Sequence, residues 1–212
     1  MSKESFKNFW KKFWHLLWKD DSWKGWLFSI IFLFVFIKFI FFPGLSWVTG
    51  TQLPLAIVES CSMYHQGGTW PLTSYDSWIN SHQTKYKNLN ITEQQFSNFK
   101  MKNGFNKGDI LFITGVKPEN IKVGDIIIFI APTTNPVIHR VIAIRTDPTT
   151  NKRIFSTEGD NNNGQLSFEN NIQENQILGK AQFKLAPYLG WVKLVFFEAQ
   201  KSPQERGFCT QR

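Results

Sequence analysis

Short segments of this chain carry the residue types that could do covalent chemistry. Ser60-Cys61-Ser62-Met63 offers two hydroxyls and a thiol in one stretch. His139 and Arg140 lie in the apolar run Val137 to Arg145, Asp160 sits in Gly159-Asp160-Asn161-Asn162, and Glu169 follows later. A serine hydroxyl is a poor nucleophile until a neighbouring base takes its proton. Imidazole titrates close to neutral pH and can both accept and return that proton. Taken singly, each segment reads first as structure. A serine in a loop is usually a turn residue, a histidine on an apolar strand is usually packed, and Asp and Asn in a Gly-Asp-Asn-Asn run bond their own backbone. The order of the segments, and the elements that must carry them, give them joint meaning.

Those elements begin with a membrane segment. Trp26 to Phe42 reads WLFSIIFLFVFIKFIFF, and with the residues up to Trp47 it is long enough for a hydrocarbon core, which takes roughly 20 helical residues. Trp23, Trp26 and Trp47 suit the two interfaces, and the stem of Lys38 can carry its amine toward the nearer one. Lys3, Lys7, Lys11, Lys12, Lys19 and Lys24 precede the run, and none follows until Lys85. The positive-inside rule then sets the N-terminus in the cytoplasm and the rest on the outer face, single-pass; the cell membrane is the expected one, with an organelle membrane left open. The run is long for a cleaved secretory signal, and no small-residue cleavage site follows it, so an uncleaved anchor is expected. Phe6, Phe9, Trp10, Phe13, Trp14 and Leu17 recur at helical spacing among the lysines, which predicts an amphipathic helix on the cytoplasmic leaflet.

Beyond the anchor, residues 64–107 are polar and weakly periodic, a predicted insertion with helical pieces at most. Asn90-Ile91-Thr92 within it has the glycosylation acceptor pattern, which also arises by chance. Elsewhere short β-branched and aromatic runs alternate with turn residues: Gln52 to Val58, Ile110 to Ile113, Asp125 to Ile130, Val137 to Arg145, Arg153 to Thr157, Ile177 to Leu185 and Gly190 to Phe197. They read as strands. The expected fold is therefore mainly β: a single N-terminal transmembrane helix and an exported β domain with a polar insertion. The predicted divisions are 1–24 (basic amphipathic segment), 25–47 (anchor), 48–200 (exported β catalytic domain) and 201–212 (tail).

In chain order, then, a strand ends in Ser-x-Ser-Met, Gly-Asp strands follow, and after them come an Ile-His-Arg-Val strand and a Gly-Asp-Asn-Asn loop. This series resembles the type I signal peptidases, in their archaeal and endoplasmic-reticulum branch. The matching residues are Ser60 to Met63, Gly124-Asp125, Ile138 to Val141 and Gly159 to Asn162, with Pro187 to Trp191 similar to the family's closing segment. The resemblance covers roughly residues 25 to 195 apart from the insertion. It implies a membrane-bound serine endopeptidase that cleaves signal peptides from exported preproteins. In that reading Ser62 is the nucleophile and His139 its base, where the bacterial branch uses lysine, and the Ser60 hydroxyl and Ser62 backbone N–H form the oxyanion hole. The family's Gly is replaced by Cys61. Gln165 and Leu166 stand where the branch carries another Asp, so Asp160 is the favoured acid for orienting His139 and Glu169 the alternative. His65, close to Ser62 in sequence, is taken as a structural or rim residue. A catalytically inactive, membrane-tethered relative that binds exported chains is the competing function.

Other classes are less well supported. The net charge of +8 suits an anionic membrane surface. Lysine and arginine are spread rather than clustered among aromatics, so nucleic-acid binding is not expected. The histidines at 15, 65, 82 and 139 lack metal-ligand spacing with Asp or Cys, and no metal or cofactor is assigned. Cys61 and Cys209 cannot form a framework, and their pairing with each other in an oxidising space is the less favoured reading. The expected partners are preprotein signal peptides and membrane lipids, with partner subunits or a secretion translocon left open.

Overall fold

The structure, a computed structural model, describes residues 3–67 and 73–209. Residues 1–2, 68–72 and 210–212, parts of the expected N-terminal segment, insertion and tail, lie outside the described residues. The chain divides into two compact units, Met1–Val48 and Thr49–Arg212.

The first unit is helical. α1 (Lys3–Trp18) forms over the amphipathic stretch. Its Phe13 ring meets Phe28 at 5.9 Å and Phe32 at 5.3 Å, so α1 folds back along α2 (Trp23–Phe36). Ser22 starts α2 by accepting the Gly25 N–H at 3.2 Å, the usual way to satisfy an orphan donor at a helix start. A π turn, Ile37–Phe41, connects it to α3 (Phe42–Thr49). The whole run, Trp23–Thr49, is long and apolar enough to cross a membrane. Lys38 lies in the π turn, its ammonium 5.6 Å from the Phe34 ring and 5.4 Å from the Phe39 ring.

The second unit is built on one antiparallel, seven-stranded sheet in the order β1-β2-β7-β3-β4-β5-β6. The strands are β1 (Leu55–Ile57), β2 (Ile110–Thr114), β3 (Ile126–Phe129), β4 (Val137–Thr146), β5 (Arg153–Glu158), β6 (Ile172–Gln173) and β7 (Ile177–Ala186). β3 is buried on both faces, which is why it reads as an unbroken apolar run rather than an alternation. On one face Ile126 and Ile128 pack with Leu111, Ile113, Met63 and Phe105. On the other, Ile127 and Phe129 pack with Val141, Phe155 and Ile172. The predicted insertion folds into a lobe with α4 (Tyr75–Asn88) and α5 (Glu93–Ser97). Trp78, Tyr86 and Phe96 form its buried centre, and Thr92 and Gln95 close a capping box at the start of α5.

Two sequence expectations are corrected here. The stretch Gly190 to Phe197 is not a strand. It forms a short helix, α6 (Trp191–Leu194), with turns on either side. Tyr188 ends the extended run at φ 56°, and the N–H groups of Lys193 and Leu194 both bond back to the Gly190 carbonyl at 3.0 Å. A short apolar run does not distinguish strand from helix by periodicity. In addition, Cys61 and Cys209, read as an improbable pair, form a disulfide.

Candidate active site

The site is assembled from turns at the ends of strands. Ser60, Cys61, Ser62 and Met63 make the turn that follows β1. Ser60 is exposed, Ser62 half-buried and Met63 buried. The Ser60 and Ser62 hydroxyl oxygens are 3.1 Å apart, one donating to the other. No acceptor takes the Ser62 backbone N–H among the described residues. Cys61 is not among the residues with positive φ, so the turn tolerates a side chain where the related motif has glycine.

The loop after β5 grips this turn. Asn161 donates its backbone N–H to the Ser62 carbonyl at 2.7 Å and its side-chain amide to the Cys61 carbonyl at 3.0 Å. A Cβ on Gly159 would stand 2.9 Å from that same Ser62 carbonyl, so glycine allows the two backbones to approach. The imidazole strand lies next to the loop, because Arg140 on β4 pairs with Glu158 at the end of β5. Met63 and Ile138, the neighbours of Ser62 and His139, belong to one apolar cluster.

His139 and Arg140 are consecutive on β4 and point to opposite faces of the sheet. His139 is 4% exposed, and its Nδ1 lies 2.5 Å from Glu169 Oε1. Glu169 is fully buried. Its Oε1 also accepts from the Thr157 hydroxyl at 2.9 Å, and its Oε2 accepts the Leu166 N–H at 2.8 Å, closing a turn at Ser167–Asn170. In a neutral imidazole, donation from Nδ1 to the Glu169 carboxylate leaves the lone pair on Nε2. No hydrogen bond joins Ser62 Oγ to His139 Nε2 among the described residues.

Arg140 faces the lobe and meets Asp160. The guanidinium donates to Asp160 through Nη2 at 2.6 Å and Nε at 2.9 Å, and to the Gly124 carbonyl at 2.9 Å. His65 Nε2 lies 2.9 Å from Oδ2, the oxygen that Arg140 Nη2 also takes, and the Tyr86 hydroxyl donates to Oδ1 at 2.8 Å. All four side chains are buried. Burial alone would raise the Asp160 carboxyl, but the Arg140 charge and the His65 hydrogen bond hold it well below the usual carboxylate range. Burial also lowers His65, against the pull of Asp160, so a neutral imidazole lies flat against Trp78, ring centroids 3.6 Å apart. Burial and the Asp160 charge push the Tyr86 phenol well above its ordinary value.

The sequence expectation that Asp160 orients His139 therefore gives way. Asp160 is occupied by Arg140, His65 and Tyr86, and the carboxylate on His139 is the alternative, Glu169. His65, expected as a structural or rim residue, is fully buried and bonded to Asp160. Sequence reasoning missed Lys85, whose ammonium from α4 donates to the carbonyls of Gly159, Asp160 and Asn162 at 2.8, 3.1 and 2.8 Å and pairs with Glu158 at 2.8 Å. A lysine in a polar, aperiodic segment carries no signal of such a role. No cluster of three or more His, Cys, Asp or Glu side chains that could hold a metal gathers among the described residues.

Comparison with known proteins finds relatives for part of this chain. No protein-family model matches the chain. The human signal peptidase complex catalytic subunit SEC11C is 29% identical over 107 residues, 48% of this chain and 55% of its own length. The SEC11 subunit of Lodderomyces elongisporus is 35% identical over 107 residues, 47% of this chain and 62% of its own length. That of Lachancea thermotolerans is 28% identical over 127 residues, or 59% and 52% of the two chains. The chain thus spans about half the length of the curated relatives it matches. Mainly β, with one helix long and apolar enough to cross a membrane, this chain is similar over about half its length to the catalytic subunits of the signal peptidase complex.

Proposed function

We propose that this protein is a membrane-bound serine endopeptidase that removes signal peptides from exported preproteins, with Ser62, His139 and Glu169 as its triad. The observation that carries the proposal is the buried His139–Glu169 pair, which fixes the imidazole tautomer with Nε2 as the base. Ser62 Oγ attacks the scissile carbonyl while His139 takes its proton and later returns it to the leaving amine. The hydroxyl must first turn from Ser60 toward Nε2, a contact of the kind that commonly tightens only when substrate binds. The unengaged Ser62 N–H and the Ser60 hydroxyl then receive the oxyanion, each donor contributing on the order of a hundred- to a thousandfold in rate. Asp160 takes no part in proton transfer in this scheme. It holds the loop that grips Ser62.

In this proposal the N-terminus is cytoplasmic, Trp23–Thr49 spans the cell membrane once, and the sheet lies on the outer face beside its substrates. The relatives are by name subunits of a complex, and partner subunits or the translocon are proposed to present the preprotein. The test uses the full chain in detergent with a model preprotein. Cleavage by the wild type, abolished in Ser62→Ala and in His139→Ala, is the expected result. Absence of cleavage by every form overturns the peptidase reading in favour of a tethered binding protein.

A further inference from the structure

Cys61 lies between the two serines of the proposed oxyanion hole, and its sulfur is bonded to Cys209, 148 residues away in sequence. The segment that delivers Cys209 is fixed in place. Lys107, 1% exposed, pairs with the Glu198 carboxylate at 2.7 Å and donates to the Glu205 carbonyl, also at 2.7 Å. The Lys107 backbone N–H points at Cys209 Sγ at 3.4 Å. Phe208 packs against Trp191 at 4.9 Å. The same segment also reaches the other side of the turn, where the Lys201 ammonium donates to the Glu59 carbonyl at 2.7 Å. Ser60 is therefore bracketed by two attachments of one C-terminal strap, at Glu59 and at Cys61. Asn161 separately holds the Ser62 and Cys61 carbonyls.

We infer that Cys209 is a positioning residue. Through its bridge to Cys61 the strap holds the Ser60 and Ser62 hydroxyls in register with His139, and reduction of the bridge slows the enzyme. The inference rests on the reading of Ser62 as nucleophile, since a turn without a catalytic role would make the bridge a stability device only. Both cysteines are half-buried rather than sealed, so a small dithiol can reach them. The exchange balances. One thiolate of the dithiol attacks the bridge to form a mixed disulfide. That attack breaks the S–S bond and frees one protein thiol; the second sulfur of the dithiol then attacks the mixed disulfide, closes the ring and frees the other, so two electrons and two protons pass to the protein. Forming the bridge in the cell requires the reverse transfer, to a disulfide-bearing oxidant of an oxidising compartment.

The test measures kcat and KM of the full chain in detergent in its oxidised form, after dithiothreitol, and after reoxidation. The double variant Cys61→Gly with Cys209→Ser is measured alongside. A displacement of about 1 Å at a catalytic group costs up to roughly a hundredfold. The expected result is a fall in kcat of about tenfold or more on reduction, with KM little changed and full recovery on reoxidation. The double variant should sit at the reduced level and ignore dithiothreitol. A reduced enzyme within twofold of the oxidised kcat overturns the inference, as does a double variant that still responds to the reductant. Hydrogen exchange supplies a readout free of catalysis. On reduction the Tyr64 N–H, bonded to the Cys61 carbonyl at 3.2 Å, should exchange faster while the amides of β3 stay protected. An unchanged Tyr64 overturns the brace even if no substrate is cleaved, whereas failure of the oxidised wild type to cleave counts against the peptidase reading instead.

Discussion

Replacing Glu169 by Gln removes one charge, keeps the shape, and tests the proposed triad directly. Glu169 has acceptor duties on both oxygens: Oε1 serves His139 Nδ1 and the Thr157 hydroxyl, and Oε2 serves the Leu166 N–H. Gln has only one oxygen. If it faces His139, its NH2 opposes the Leu166 N–H, donor against donor. If the NH2 faces His139, the imidazole must accept at Nδ1 and carry its proton on Nε2, where the lone pair is needed. Either way the buried carboxylate no longer stabilises the imidazolium of the transition state. Two unit charges about 4 Å apart at an effective dielectric of about 20 interact by about 4 kcal/mol. Loss of a triad carboxylate with wrong-tautomer trapping costs about ten-thousandfold in rate, or about 5.4 kcal/mol. The two figures agree, so Glu169→Gln should lower single-turnover kcat on a preprotein by about a thousand- to ten-thousandfold. The unmatched donor should also cost about 1–3 kcal/mol of stability, so the variant is assayed below its melting range, with folding checked by circular dichroism. A folded Glu169→Gln enzyme within threefold of the wild-type rate would refute the assignment of Glu169 as the orienting acid.

Further outcomes follow from the same geometry. Asp160→Asn breaks a fully buried ion pair with Arg140 and should destabilise the domain by about 3–5 kcal/mol, read as a lower denaturant midpoint; an unchanged midpoint would count against its structural role. Lys85→Met removes three carbonyl contacts and strands Glu158, and should cost about 1–3 kcal/mol while speeding amide exchange in residues 159–162, which protection equal to wild type would contradict. Acid should weaken the fold. His65 and Asp160 are both held below their ordinary pKa values, so on acidification the unfolded chain binds protons that the folded one does not. Stability should fall as pH drops below about 6.5, the unfolded His value, and more steeply below about 3.9, the unfolded Asp value. A melting temperature that stays flat or rises from pH 7 to pH 4 would be inconsistent with that sign.

The sequence carried the site motifs because each occupies a position where local chemistry and fold coincide. The Ser-x-Ser turn, the histidine on β4 and the Gly-Asp-Asn-Asn loop are short, ordered and close to strand ends. Glu169 was harder to read because it arrives on a short turn outside any periodic segment, and its capping contact with Leu166 exists only in the folded chain. Asp160 looked catalytic from sequence because it lies in the loop beside the serine turn. Its side chain is aimed by Arg140, and β-strand alternation turns that residue away from His139 toward the lobe. The disulfide was illegible because the proximity of residues 61 and 209 depends on Lys107 docking the strap. The α6 region failed for a different reason: an apolar run of that length fits either periodicity until Tyr188 turns the chain.

The lobe is no removable decoration. Arg140, from the centre of the sheet, donates to the Lys100 carbonyl at 3.2 Å and the Met101 carbonyl at 3.3 Å, and its guanidinium rests 4.8 Å from the Phe96 ring. Loosening the lobe would strand a cation in a dry interior, so neither part can melt ahead of the other without a large penalty. Heating should then give a single calorimetric peak for this unit. Trimming residues 73–107 to a short linker should yield insoluble chain rather than a minimal enzyme.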